Sequence, residues 1–177
     1  MLAQWIRVFY SNNGVLTDYS LAAQDTDAIP FPIVAAEDYL YIAQYFPFNN
    51  FYLDLDVVND QASVMTVQYW YGKEWVNAVD LIDATKVNGV SLAKSGVVQF
   101  SPSRRYKWTE IVDTSLEQNS SLTSLEIYNN YWLRVKFSAD LNALTAIDSI
   151  SYKFANDEML VAIDSDINNY LLAWGEI

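Results

Sequence analysis

Asp54 and Asp56 stand two apart in the alternating run Phe51-Tyr52-Leu53-Asp54-Leu55-Asp56-Val57, so on a strand both carboxylates point the same way. Converging acidic oxygens can ligate calcium or act as half of a glycosidase acid/base pair. A glycosidase needs its second carboxylate across a cleft, and no spacing in the chain supplies one. The plainer reading is the solvated outer face of a sheet. Asp80 and Asp83 invite the same metal chemistry, but no calcium-loop pattern surrounds them and loop capping accounts for both. Trp70, Trp75, Trp108 and Trp132, with the Tyr-rich runs, are enough rings for a sugar-stacking platform. The same rings are the normal packing of a β-sandwich, each burying roughly 150–250 Å². Arg104-Arg105 with Lys107 is the one basic cluster, and in an acidic chain it is expected to meet an acidic neighbouring subunit. Asn119-Ser120-Ser121 matches a glycosylation acceptor, with nothing else in the sequence suggesting secretion.

The remaining inventory excludes more than it offers. The 177 residues hold 22 Asp plus Glu against 10 Lys plus Arg, a net charge of -12, with no His and no Cys. That leaves no Ser-His or Cys-His nucleophile and no ordinary zinc or iron–sulfur site. Only five Gly are present, and none forms a phosphate-cradling loop. No enzyme activity and no cofactor are therefore expected. A strongly acidic chain is repelled by phosphate backbones, so no nucleic-acid partner is expected either. Apolar runs fall well short of the ~20 residues that span a bilayer, and Met1-Leu2-Ala3-Gln4-Trp5-Ile6-Arg7 lacks the pattern of a signal peptide, so no membrane partner is expected. With 52% hydrophobic and 15% aromatic residues, the chain can fill the core of a single domain.

The elements that must position these residues read as strands. Residues 4–10 open with alternation and stop at Ser11-Asn12-Asn13-Gly14; residues 39–45 form an aromatic-rich second run. In residues 51–57 the alternation puts Leu53, Leu55 and Val57 toward a core and Asp54 and Asp56 toward water. Residues 63–71 turn at Gly72-Lys73 into residues 74–79 as a two-residue hairpin. Residues 96–101, 131–137 and 147–154 complete the series. In residues 131–137, Trp132, Arg134 and Lys136 share one face, and Tyr131, Leu133, Val135 and Phe137 the other. Short strands separated by Asn, Gly, Pro and Ser turns predict an all-β chain folded as an antiparallel, jelly-roll-like sandwich over residues 1–155. Residues 80–95 read as a long ordered loop and residues 104–130 as a polar connection. Residues 156–177 read as a short helical appendage, with Asn156 or Asp157 capping one helix through Ile163 and Asp166 another through Trp174.

Five short motifs also occur in order. They are Tyr69-Trp70-Tyr71-Gly72-Lys73-Glu74-Trp75-Val76; Asp83-Ala84-Thr85; Ser95-Gly96-Val97-Val98-Gln99-Phe100-Ser101-Pro102; Trp108; and Tyr131-Trp132-Leu133-Arg134-Val135. This series resembles the β-sandwich family of tailed-bacteriophage structural proteins that carry "YWDGxWV … DxT … SGxVxFxP … W … YWLR". The likeness spans about residues 39–155, and departs from the pattern at Tyr71-Gly72, where the family has Asp-Gly or Asn-Gly. It implies a virion component packed against copies of itself and against portal, adaptor, capsid or tail proteins, in the head–tail connector or neck, or in the tail. The alternatives are a capsid decoration protein and a carbohydrate-binding module for host attachment. Contact residues expected on this reading are Arg104, Arg105, Lys107, Trp108, Arg134, Tyr170 and Trp174.

Overall fold

Alternation and turn chemistry decide where each strand starts and stops. The computed structural model describes residues 6–24, 28–72, 74–103, 105, 107–110 and 130–152. The described residues form eleven strands: β1 (Arg7–Asn12), β2 (Val15–Asp18), β3 (Ile29–Pro30), β4 (Tyr39–Gln44), β5 (Asn50–Val57), β6 (Met65–Trp70), β7 (Trp75–Asn77), β8 (Val79–Asp83), β9 (Gly96–Ser101), β10 (Tyr131–Phe137) and β11 (Ala146–Ser151). A single 3-10 turn, Ala22–Gln24, interrupts them.

Two antiparallel sheets face each other, one in the order β2-β1-β4-β10-β6-β7 and the other β3-β11-β5-β9-β8. The fold is thus the all-β sandwich that the alternation predicts. Between the sheets lies the core, with Val8, Tyr10, Leu40, Ile42, Val67, Tyr69, Leu133 and Val135 from the six-stranded sheet meeting Phe51, Leu53, Val98, Phe100, Ile147 and Ile150 from the five-stranded one. Removing this apolar surface from water is the main stabilising term of the fold.

Turn chemistry fixes the hairpins. Asn13 and Gly14 both take positive φ, 46° and 82°, the paired left-handed geometry that matches strand twist, and so β1 returns as β2. At the β6–β7 hairpin Gly72 sits at φ 101° and the Tyr71 amide donates to the Glu74 carbonyl at 3.1 Å. Trp70 then lies opposite Trp75.

Three expectations change. Residues 80–95 are not one loop, because Val79–Asp83 forms β8, the edge of the five-stranded sheet against β9. The chain changes sheet at Ala78, and a register shift between Val79 and Ile82 breaks the alternation that would have revealed the strand. In β5 the core-facing series ends early: Leu53 is buried, but Leu55 is half-buried and Val57 is 38% exposed. The reason is that β9 covers β5 only as far as Leu53, so its last residues run beyond the core. The third change is the hairpin partner β2, where the sequence suggested only a turn. The helices expected within residues 156–177 lie outside the described residues, as does most of residues 104–130.

Candidate interaction surface

Two of the four carboxylates singled out in the sequence, Asp54 and Asp83, are fastened to the chain's own loops. Asp54 Oδ1 accepts from the Ser95 hydroxyl at 2.8 Å, and Ser95 Oγ accepts the Leu55 amide at 3.0 Å, so this group ties the start of β9 to β5. Asp83 Oδ1 accepts both the amide of Thr85, at 3.0 Å, and its hydroxyl, while Oδ2 accepts the Ser91 hydroxyl at 2.6 Å. Thr85 Oγ1 in turn accepts the Leu92 amide at 2.9 Å. Asp83 therefore caps the loop between β8 and β9. Asp56 and Asp80 are exposed. Among the described residues no group of three or more His, Cys, Asp or Glu is placed to hold a metal ion.

Aromatic side chains divide between two layers. Trp108, expected at an interface, is instead only 5% exposed, packed against Phe48, Tyr69 and Tyr131 with ring centroids 5.2, 5.8 and 5.8 Å away. An indole this large is drawn into the open end of the sandwich because it can fill the gap between Phe48 and Tyr69 there. The second layer lies on the other side of the six-stranded sheet. Phe9, Tyr41, Ala43 and Trp132 form a buried cluster against which Leu16, Tyr39, Trp70 and Trp75 pack. Register puts them together: Phe9 pairs with Tyr41, Ala43 with Trp132, and Trp70 with Trp75. Phe9 stacks on Trp132 at 5.3 Å.

Arg134 stands in the middle of this face. Its Nε donates to Gln68 Oε1 at 2.9 Å, and its guanidinium lies 4.6 Å from the Tyr39 ring centroid and 5.0 Å from that of Trp75. Gln68 Nε2 donates onward to Asn77 Oδ1 at 2.8 Å. Stacking on aromatic faces holds the cation by its quadrupole attraction and fixes the side chain over the sheet. The sequence placed Arg134 beside Trp132 on one strand face. The contact it makes is with Tyr39, on β4, whose pairing with β10 no local pattern announces, and with Trp75 from the β6–β7 hairpin.

A sugar platform needs coplanar, exposed rings. Trp70 and Trp75 are half-buried and cross at 64°, so each ring packs its edge on the other. Arg105 and Lys107 are exposed, whereas Arg104, Tyr170 and Trp174 lie outside the described residues. A separate apolar patch that sequence reasoning missed occurs at the loop end of the sandwich, where Val34, Val58, Val64 and Leu144 are exposed, Leu144 by 74%. Hydrogen bonds brace this end, among them the Asn142 amide group to Asp60 at 2.8 Å and the Ala35 amide to Asp140 at 2.8 Å. Comparison of the chain with protein-family models, curated proteins and solved structures finds no match.

Proposed function

We propose that the chain is a structural component of a tailed-bacteriophage virion, working through protein–protein contacts in the head–tail connector or neck, or in the tail. The motif series suggests the class. The observation that carries the reading is the second aromatic layer on the outer face of the six-stranded sheet, with Tyr39, Trp70, Trp75 and Arg134 half-buried at its surface. A sandwich needs one apolar face per sheet to fold. A second face rich in Trp, Tyr and Arg has the composition of the centre of a protein interface. The motif residues also have architectural work in this chain. Asp83 and Thr85 cap a loop, Ser95 fastens it to β5, and Trp108 fills the core. The carbohydrate-binding alternative has less support, because the rings it would use are crossed.

Immunogold labelling of tailed particles from the organism that encodes the chain tests the reading. Label at the neck or along the tail is the expected result. Label on the capsid shell would move the chain to a decoration role, and its absence from purified particles would end the virion assignment.

A further inference from the structure

The two sheets carry opposite charge. Strands of the six-stranded sheet contain three bases, Arg7, Arg134 and Lys136, and one acid, Asp18. Strands of the five-stranded sheet contain five acids, Asp54, Asp56, Asp80, Asp83 and Asp148, and no base. In a chain with only 10 basic residues against 22 acidic ones, gathering three bases on one sheet is a concentration against the average.

Register shows which way these groups point. Arg7 pairs with Ala43, which pairs with Trp132, and Lys136 pairs with Thr66, so Arg7, Arg134 and Lys136 all stand on the outer aromatic face. On the five-stranded sheet Phe51, Leu53 and Val98 point inward, which leaves Tyr52, Asp54, Asp56, Val97 and Gln99 on the outer face. Ile82, opposite Gln99, adds an apolar group there and is 59% exposed. Among the described residues, Arg7, Arg134 and Lys136 make no ion pair; Arg134 is held by Gln68 and by rings instead. Among the described residues these three cations meet no carboxylate, and an acidic surface would complement them. The molecule carries such a surface on its opposite side.

We propose that copies of this chain associate head to tail, the aromatic and basic outer face of the six-stranded sheet of one copy seated on the acidic outer face of the five-stranded sheet of the next. The proposal rests on reading the chain as a protein that works by contacts with its own copies, and adds which surfaces meet. Because the two surfaces differ, the interface is heterologous. It therefore continues into a closed ring or an open filament and does not stop at a two-fold dimer. Charge sets the register and speeds encounter, while Tyr39, Trp70 and Trp75 supply the apolar contact against Tyr52, Val97 and Ile82.

Light scattering of the full chain over a range of concentrations, with two paired variants, tests this. Arg7→Glu with Lys136→Glu makes the basic face acidic and leaves Arg134 on its rings. Asp56→Lys with Gln99→Lys adds positive charge to the acidic face and leaves Asp54 to hold Ser95. The wild type is expected above twice the 20.2 kDa monomer mass, and each variant alone at monomer mass, since like charge then faces like charge. An equal mixture of the two variants is expected to regain the wild-type mass, because each mismatched face now meets a complementary one. Far-ultraviolet circular dichroism confirms that both variants are folded; if one is not, Lys136→Glu alone and Gln99→Lys alone take their place. A two-fold dimer, variants that assemble like the wild type, or a mixture that stays monomeric overturns the proposal. So does a wild type that is monomeric up to millimolar concentration, and if labelling still finds the chain in particles, the virion reading stands without this interface.

Discussion

Tyr10 lies in the core, and its hydroxyl donates to Asp38 Oδ2 at 3.1 Å, with the Pro32 carbonyl 3.2 Å away. Asp38 is itself buried and also accepts the amides of Asn13, at 2.9 Å, and Val34, at 2.8 Å. One carboxylate thus joins the β1–β2 turn to the segment leading into β4. Burial pushes the Tyr10 phenol well above its ordinary range, and the negative charge of Asp38 adds to the shift. A raised pKa in the folded state gives stability that is whole below the unfolded value of about 10 and is lost as pH climbs past it. Tyr131 and Tyr152 move the same way, with burial as the first cause. Urea midpoints are therefore expected to hold up to about pH 9 and to fall steeply by pH 11. Tyr10→Phe costs about 1 kcal/mol at pH 7 through the lost hydrogen bond, and the gap to wild type narrows or reverses at pH 11. Equal loss in both proteins between pH 8 and 11 would remove Tyr10 from the explanation. The sequence showed Tyr10 on a strand, but not Asp38, which lies 28 residues away and reaches it only through the β1–β4 pairing.

Among the elements, the loop between β8 and β9 has the most specified geometry. A Cβ added at Gly96 would lie 2.7 Å from the Ala84 carbonyl oxygen, a backbone atom that cannot swing aside. Gly96→Ala is therefore expected to cost about 1–3 kcal/mol, read as a lower denaturant midpoint with an unchanged slope. Amide exchange should quicken in residues 84–95 before the rest of the sandwich responds; an unchanged midpoint would show that Ala84 yields freely. The Ser-Gly and Asp-x-Thr pairs were legible as motifs, and their physical role is this close approach and the Asp83 cap. Strands β5, β6, β9 and β10 were legible for another reason, since inward apolar residues alternate with mostly polar or aromatic ones on the other side. The edge strands β2, β3 and β8 were not, whereas the edge strand β7 was read as the return of the Gly72-Lys73 hairpin. β3 is two residues long and ends in Pro30, and β8 carries Asp80 at φ 53° beside its register shift. The candidate surface was legible along β10 and at the β6–β7 hairpin, where Trp70 and Trp75 flank the turn and pair. In β4 the run Tyr39-Leu40-Tyr41-Ile42 is apolar on both sides, so alternation alone cannot say which side is core.

For the molecule as a whole, folding and assembly respond to salt in opposite directions. Folding gathers a net charge of -12 into one small volume, and the acids on the five-stranded sheet repel one another with no base on their own strands. Screening relieves that repulsion, the Debye length dropping from about 30 Å at 0.01 M to about 8 Å at 0.15 M salt. The thermal midpoint of the monomeric Arg7→Glu with Lys136→Glu variant, whose added acids sharpen the effect, is expected to rise by a few degrees over that range, since about 1 kcal/mol moves the midpoint of a domain this size by roughly 2–4 °C. Head-to-tail association draws on attraction between unlike faces, so the scattering mass of the wild type is expected to fall over the same range. A domain held together mainly by surface ion pairs would instead lose thermal stability as salt is added. A wild-type assembly whose mass grows with salt would be held by apolar contact alone, and the charge segregation between the sheets would then serve solubility.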